Sequence, residues 1–249
     1  MTGTTPPGVT GEQAAGNWVR GIFARIAGHY DLLNHLLSFN LDRRWRARLV
    51  ARAAESLNRP GASALDLCCG TADVLLALEQ ENKNGTPLDT RIFGSDFCHP
   101  MLMEAARKIT AARVRSPLFE ADALLLPVRD QALDLVTIAF GFRNLANYDK
   151  GLDEILRVLK PGGLAAILEF SRPTNPIFGI VYGFFSTRIL PWVGGAISGS
   201  REAYSYLPGS IRKFPDADAL AMRMRAAGFR KVEVERMTGG AVALHLAWK

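Results

Sequence analysis

A chain of 249 residues with 48% hydrophobic and 22% charged side chains can bury a substantial core, which excludes a disordered or disulfide-dependent chain. Lys+Arg 30 against Asp+Glu 24 leaves a net charge of +6, compatible with an anionic partner, yet the arginines are scattered outside one cluster at Arg43, Arg44, Arg46, Arg48 and Arg52. A solvated helix face accounts for that cluster as readily as a ligand does.

The three cysteines, Cys68, Cys69 and Cys98, and the dispersed His29, His35, His99 and His245 offer neither a disulfide framework nor a metal-ligand spacing. No metal is expected, and a reducing, cytoplasmic compartment fits. Residues 1–16 are rich in Gly, Thr and Pro and lack an apolar core, so they read as a flexible tail rather than a signal peptide.

From there the pattern predicts a single domain over residues 17–249. Asn17–Leu57 reads as a helical lid with a polar break near Ser38–Asn40. Ala64–Cys68 is a short apolar run before Gly70, hence a buried strand, and Asp73–Gln80 turns helical with Val74, Leu75 and Leu78 on one face. A second strand over Arg91–Ser95 precedes a helix over Pro100–Arg113, with Pro in the first turn where its missing N–H costs nothing. A third strand falls at Pro117–Glu120, and β-branched Leu133–Phe140 makes a central fourth. Leu152, Ile155, Leu156 and Leu159 lie at helical spacing, Pro161-Gly162-Gly163 ends that helix, and Leu164–Phe170 is a fifth strand.

An apolar insertion at about 171–211 reads as irregular. Its greasiest part, Ile177–Ile197, is broken by Arg188, Pro191 and several glycines, short of the roughly 20 apolar residues of a membrane span. Phe178, Tyr182, Phe184, Phe185 and Trp192 would suit an apolar ligand or a bilayer surface; a core or homodimer helix is the alternative. A helix over Asp216–Ala226 and a hairpin of Lys231–Met237 with Ala241–Trp248 close the chain. The repeated strand–helix order gives an α/β, Rossmann-like fold: a mostly parallel sheet flanked by helices, with an antiparallel C-terminal hairpin.

In such sheets ligands bind beyond the carboxyl ends of the strands, at the switch in strand order. Ala64 to Asp73 runs from a strand through a tight turn at Gly70 into a helix, and Asp96 ends the second strand where it can accept from both hydroxyls of a ribose. The pyrophosphate fingerprint GxGxxG and the P-loop are both absent. Asp66 and Asp73 beside the loop would repel a pyrophosphate but suit a sulfonium and an ammonium, which favours S-adenosylmethionine. Asp122 and Ala123, after the third strand, are placed to meet an adenine. Each piece taken alone has a plain structural reading, a helix cap for Asp96 among them.

The chain resembles the class I methyltransferases, and within them the quinone C-methyltransferases of ubiquinone and menaquinone biosynthesis (the UbiE/MenG family), from about Phe23 to Lys249. The resemblance is carried by Tyr30-Asp31 with Asn34, Ser38 and Trp45-Arg46; Asp96-Phe97 with Met101-Leu102; Phe140 to Asn144; Leu168 to Ser171; and Ala203 to Leu207 with Ser210-Ile211 and Phe214-Pro215. It implies methyl transfer from S-adenosylmethionine to a ring carbon of a prenylated quinol, with cofactor contacts on Thr71, Asp96 and Asp122-Ala123, and Phe97 beside them. Two positions depart from the family pattern: Ala72 where Gly is common, and Ala139 where Ser is common.

Arg143, just past the fourth strand, is a candidate to stabilise a developing phenolate or orient a water, and is too basic to be the base itself. Asn144 is placed beside it, Asp31 is a candidate proton acceptor, and Tyr30, Tyr204 and Tyr206 are candidates to line the quinol pocket. A salt bridge, helix caps and aromatic packing are the alternatives at these positions. Peripheral contact with the inner face of a membrane fits a lipid-soluble substrate, and nucleic acid is not expected, since no contiguous basic groove with stacking aromatics is evident. Two other functions stay open: a class I methyltransferase for another small molecule or RNA, and a silent cofactor-binding assembly subunit.

Overall fold

The structure is a computed structural model that describes residues 3, 4, 6–85, 90–175, 179, 183 and 201–249, with side chains throughout except at Leu33, Leu37, 82–85 and 201–205. Seven strands form one sheet: β1 (Ser63–Leu67), β2 (Arg91–Asp96), β3 (Leu118–Glu120), β4 (Leu133–Ala139), β5 (Leu159–Phe170), β6 (Lys231–Met237) and β7 (Val242–Trp248). Their order is β3-β2-β1-β4-β5-β7-β6, parallel from β3 to β5 and antiparallel at β5/β7 and β7/β6.

The helices are α1 (Glu12–Ile26), α2 (Tyr30–Leu37), α3 (Leu41–Ala53), α4 (Asp73–Gly85), α5 (His99–Ala111), α6 (Tyr148–Val158), α7 (Arg201–Lys213) and α8 (Ala217–Ala226). Strand side chains alternate between two cores. Leu164, Ala166 and Leu168 pack with α3, α4 and α5 through Leu49, Leu75 and Ala105, while Ala165 and Ile167 pack with α6 and α8 through Ile155 and Leu220. Both faces of the sheet are covered, as a parallel sheet requires.

Several elements differ from the sequence reading. The first helix begins at Glu12, within the segment read as tail, and Thr4 is buried with its N–H donating to Leu145 O at 2.8 Å. The helix before β5 ends at Val158, and β5 starts at once, carrying Pro161-Gly162-Gly163 inside it. The register shifts between Leu133 and Leu135, and Gly162 takes φ 76, so the Pro-Gly-Gly run is absorbed by a bulge. The insertion read as irregular to about residue 211 ends in a helix, α7, which carries Pro208 in its interior. The break at residues 38–40 is real: Phe39 and Asn40 take φ 53 and 59. Of the apolar run Ile177–Ile197, the residues on which its reading rested, Phe178, Tyr182, Phe184, Phe185 and Trp192, lie outside the described residues.

Candidate active site

Chain order reverses between β1 and β4, so the crevice opens beyond Leu67 and Ala139. The backbone there is bent: Cys68, Ala72 and Phe140 take φ 55, 70 and 59, in the left-handed region that costs a non-glycine residue about 1–2 kcal/mol. Such strain collects at ligand sites, where surrounding structure over-determines it. The two loops touch because residue 141 is glycine; a Cβ there would stand 2.4 Å from that of Cys68. Burial pushes the Cys68 and Cys69 thiols well above their ordinary range.

Asp96 is fixed by backbone donors. Gly70 N–H donates to one carboxylate oxygen and Cys98 N–H to the other, each at 2.9 Å. Burial raises its pKa to about 6 and that of Asp66 to about 7. Asp66 accepts from the Thr137 hydroxyl at 2.8 Å and from Leu75 N–H at 3.2 Å. Neither acid has a cation within ion-pair distance among the described residues. Asp73, which the sequence reading grouped with Asp66, is instead paired with Lys108, and Arg46 lies 3.4 Å away.

A cavity of about 450 Å³ covers this edge, within the range of small-molecule sites. Gly70, Asp96, Phe97, Asp122 and Ala123 line one wall, with Cys68, Ala139 and Phe140 beside them. Helical residues line it as well: Asn17, Arg20 and Phe23 from α1, and Tyr30 from α2. Arg20 lies over the Phe97 ring at 5.5 Å, so α1 touches the residue that follows Asp96. Asp122 is exposed and accepts from Leu124 N–H at 2.9 Å, while Ala123 is buried.

Thr71 and Asp31 meet across the lid junction. The Thr71 hydroxyl donates to Asp31 at 2.5 Å, and Lys108 Nζ reaches the second Asp31 oxygen at 2.8 Å. This clasp ties α2 to the loop before α4 through a lysine on α5. Sequence reasoning missed Lys108, although it lies at helical spacing with Met101, Ala105 and Ile109, on the stripe that faces the protein.

The 3-10 turn Phe142–Asn144 follows β4. Arg143 is buried; its guanidinium reaches Glu169 at 3.0 Å and Phe140 O, and Phe170 lies 5.2 Å from it. Arg143 therefore stands behind the cavity wall, its buried Nε without a hydrogen-bond partner among the described residues, while Asn144 lines the cavity. Glu169 was a second omission from the candidate residues. It is buried, with its pKa raised by burial, and it accepts from Arg143 and Phe170 backbone N–H groups as well. Tyr206 donates to Asn144 at 3.1 Å, lies 2.7 Å from the Thr4 hydroxyl and packs edge-on against Trp18. Tyr30 and Asn144 line the cavity, whereas Tyr206 is not among its lining residues and meets it only through its hydrogen bond to Asn144; the Tyr204 side chain lies outside the described residues.

This sheet order, the crevice beyond β1 and the buried acid ending β2 define a Rossmann-like methyltransferase fold. Solved structures agree on it. A S-adenosylmethionine-dependent methyltransferase from Thermotoga maritima, titled a possible histamine N-methyltransferase, is similar at TM-score 0.59 and 18% identity, covering 92% of this chain and 99% of that one. A putative methyltransferase of the same cofactor class from Methanococcus maripaludis gives TM-score 0.58 and 16% identity over 99% of this chain and 97% of that one.

The profile of the ubiE/COQ5 methyltransferase family matches residues 9–249, and the chain belongs to that family. A demethylmenaquinone methyltransferase from Thermus thermophilus is 47% identical over 225 residues, 90% of this chain and 98% of that protein. A protein of the same name from Deinococcus radiodurans is 43% identical, covering 92% of each. A ubiquinone/menaquinone biosynthesis C-methyltransferase from Hydrogenovibrio crunogenus is 39% identical, covering 93% and 89%. S-adenosylmethionine is the cofactor, and the donor set fits it: Asp66 and Asp96 are buried acids with no cation within ion-pair distance among the described residues, chemistry that suits a cation and ribose hydroxyls. No helix among the described residues is long and apolar enough to cross a membrane.

Proposed function

We propose that this protein methylates a ring carbon of a prenylated quinol, converting demethylmenaquinol to menaquinol. The observation that carries the reading is family membership together with 47% and 43% identity to proteins named for that reaction. A benzoquinol of ubiquinone synthesis is a second reading, favoured by the name of the Hydrogenovibrio relative.

The bound cofactor supplies an electrophilic methyl group on a sulfonium. The chain's own part is to hold, align and keep water out. Asp96 holds the ribose, with Gly70 and Phe97 beside it; Thr71, Asp66 and Asp73 surround the amino-acid end, and Asp122 and Ala123 meet the adenine. A reduced ring is needed because a hydroxyl donates electron density to its ortho carbon and a quinone carbonyl does not. Asn144, Tyr30 and Tyr206 orient that hydroxyl. Arg143, held by Glu169, supplies a positive field that favours the phenolate; it acts through the wall that Asn144 forms. Asp31, with both oxygens occupied, holds α2 closed over the loop.

The reading extends to contact with an anionic lipid surface, where such a substrate resides. Leu32, Leu36 and Phe39 are 59%, 47% and 72% exposed, and follow one another at helical spacing along and just past α2. Arg43 and Arg44 follow them, exposed and without an ion pair among the described residues. An apolar stripe flanked by cations is the composition of an interfacial helix. Tyr30, on the same helix, lines the cavity, which supports the reading.

The test uses purified protein with methyl-labelled S-adenosylmethionine and demethylmenaquinone, either reduced or oxidised. Label in the reduced ring alone is the expected result. Label in neither ring, or in added RNA instead, would sink the proposal. Co-sedimentation with anionic vesicles, lost in Leu36→Glu, checks the lipid contact; concentration-dependent self-association lost in the same variant, without vesicle binding, would count against it.

A further inference from the structure

Next to the main cavity lies a smaller one of about 20 Å³, lined among others by Arg46, Asp66, Thr71 and Asp73. Tyr30, Cys68, Gly70 and Ala139 line both, so the two adjoin across these four residues. Its volume admits a group little larger than one water. That is the scale of a carboxylate or an ammonium, not of a second ligand.

The cofactor carries both groups at its methionine end. A subsite for it needs an anion and a cation a few ångströms apart. Asp66 and Asp73 supply the first, and Arg46 is the cation on the wall. Arg46 is buried on α3, and its contacts with Asp42 and with Asp73 at 3.4 Å both end on Nη1. Its Nη2 and Nε have no hydrogen-bond partner among the described residues, although a guanidinium carries five N–H donors in a fixed fork. The fork is held still. Asp42 is itself fixed by Ser38 Oγ and His35 Nδ1, each at 2.7 Å, and the guanidinium lies 5.8 Å from the Phe140 ring centroid.

The geometry points to Arg46 as the residue that takes the carboxylate at the methionine end of the cofactor, with Asp66 on the ammonium side; this rests on S-adenosylmethionine as methyl donor. The second Arg46 amino group and Nε donate to the carboxylate, while Asp42 keeps Nη1. Arg46 thereby sets how far the cofactor enters the crevice, and so where its methyl group lies relative to Asn144.

The experiment is calorimetric and needs no turnover. S-adenosylhomocysteine, which has the amino-acid end, and methylthioadenosine, which lacks it, are titrated into wild-type protein and into Arg46→Met and Arg46→Lys. Arg46→Met is expected to weaken S-adenosylhomocysteine on the order of 10- to 100-fold, as loss of a charged hydrogen-bond pair does, and to leave methylthioadenosine within about 2-fold. Arg46→Lys should recover part of the loss. Equal effects on both ligands, or on neither, would overturn the proposal. Because Arg46→Met also strips a partner from buried Asp42, wild-type protein is titrated in parallel with S-adenosylmethionine and its decarboxylated form. A wild-type preference of less than about 3-fold for the carboxylate-bearing ligand would overturn it without any variant. Wild-type protein that binds none of these ligands would overturn the cofactor assignment as well, whereas equal binding of both members of each pair overturns the Arg46 subsite alone.

Discussion

The two halves of the sheet are built to different standards. On the β5–β7–β6 side the ladders run without a break from Leu164↔Trp248 to Phe170↔Val242, and from Lys231↔Trp248 to Met237↔Val242. On the β1–β4 side the strands give way at once to Cys68, Ala72 and Phe140 in left-handed conformations, with two carboxylates buried nearby. The regular half supplies stability from apolar packing, and the strained half draws on it to keep charged groups where a ligand meets them. Changes in the first should alter folding without altering affinity; changes in the second should alter affinity, and stability only in a pH-dependent way where a buried acid is replaced.

The largest effect is expected from Leu244→Ala, which empties a fully buried position on β7. Chemical denaturation should show a loss of about 2–5 kcal/mol with the S-adenosylhomocysteine Kd unchanged. A parallel loss of affinity would break the comparison. Next comes Asp96→Ala, which should weaken cofactor binding by about 1.5–3 kcal/mol as the ribose loses a charged acceptor; calorimetry showing unchanged affinity would remove Asp96 from the site.

A third prediction concerns pH. Asp66 and Asp96 hold protons more tightly folded than unfolded, with pKa values pushed up to about 7 and about 6 from 3.8. Their contribution to stability is therefore full below about pH 3.8 and is lost as pH rises through 6 and 7. Asp66→Asn should flatten that decline in thermal midpoint between pH 5 and pH 8. Cofactor affinity should run the other way, falling as Asp96 takes up a proton below about pH 6. The smallest effect is expected from Ala72→Gly: relief of φ 70 is offset by glycine's greater unfolded-state entropy, leaving a net change within about 1 kcal/mol. A larger gain in cofactor affinity than in stability would show that the Ala72 methyl group limits the approach of the loop.

What the sequence disclosed was local. Strands rich in Leu, Ile and Val between amphipathic helices set the order of elements, and Gly70 and Asp96 stood at strand ends where their chemistry could be read. What it concealed was contact at a distance. Lys108 meets Asp31 across 77 positions and Arg143 meets Glu169 across 26, and nothing local in either stretch announces a partner. Arg143 illustrates the point, since its position just past β4 was legible while the turn of its guanidinium toward Glu169 depended on β5 lying alongside. α7 was not legible either: it lies across the end of the stretch read as an irregular insertion and carries Pro208, a residue disfavoured inside a helix.

The vicinal thiols at the bend after β1 give the molecule an internal reporter. Because burial keeps Cys69 protonated, and only the thiolate is nucleophilic, an alkylating reagent reaches it at a rate set by how often this bend opens, whereas half-buried Cys68 lines the cavity and is covered by a ligand there. Labelling should slow as S-adenosylhomocysteine is added, so the breathing of the crevice can be timed by mass spectrometry without an engineered probe.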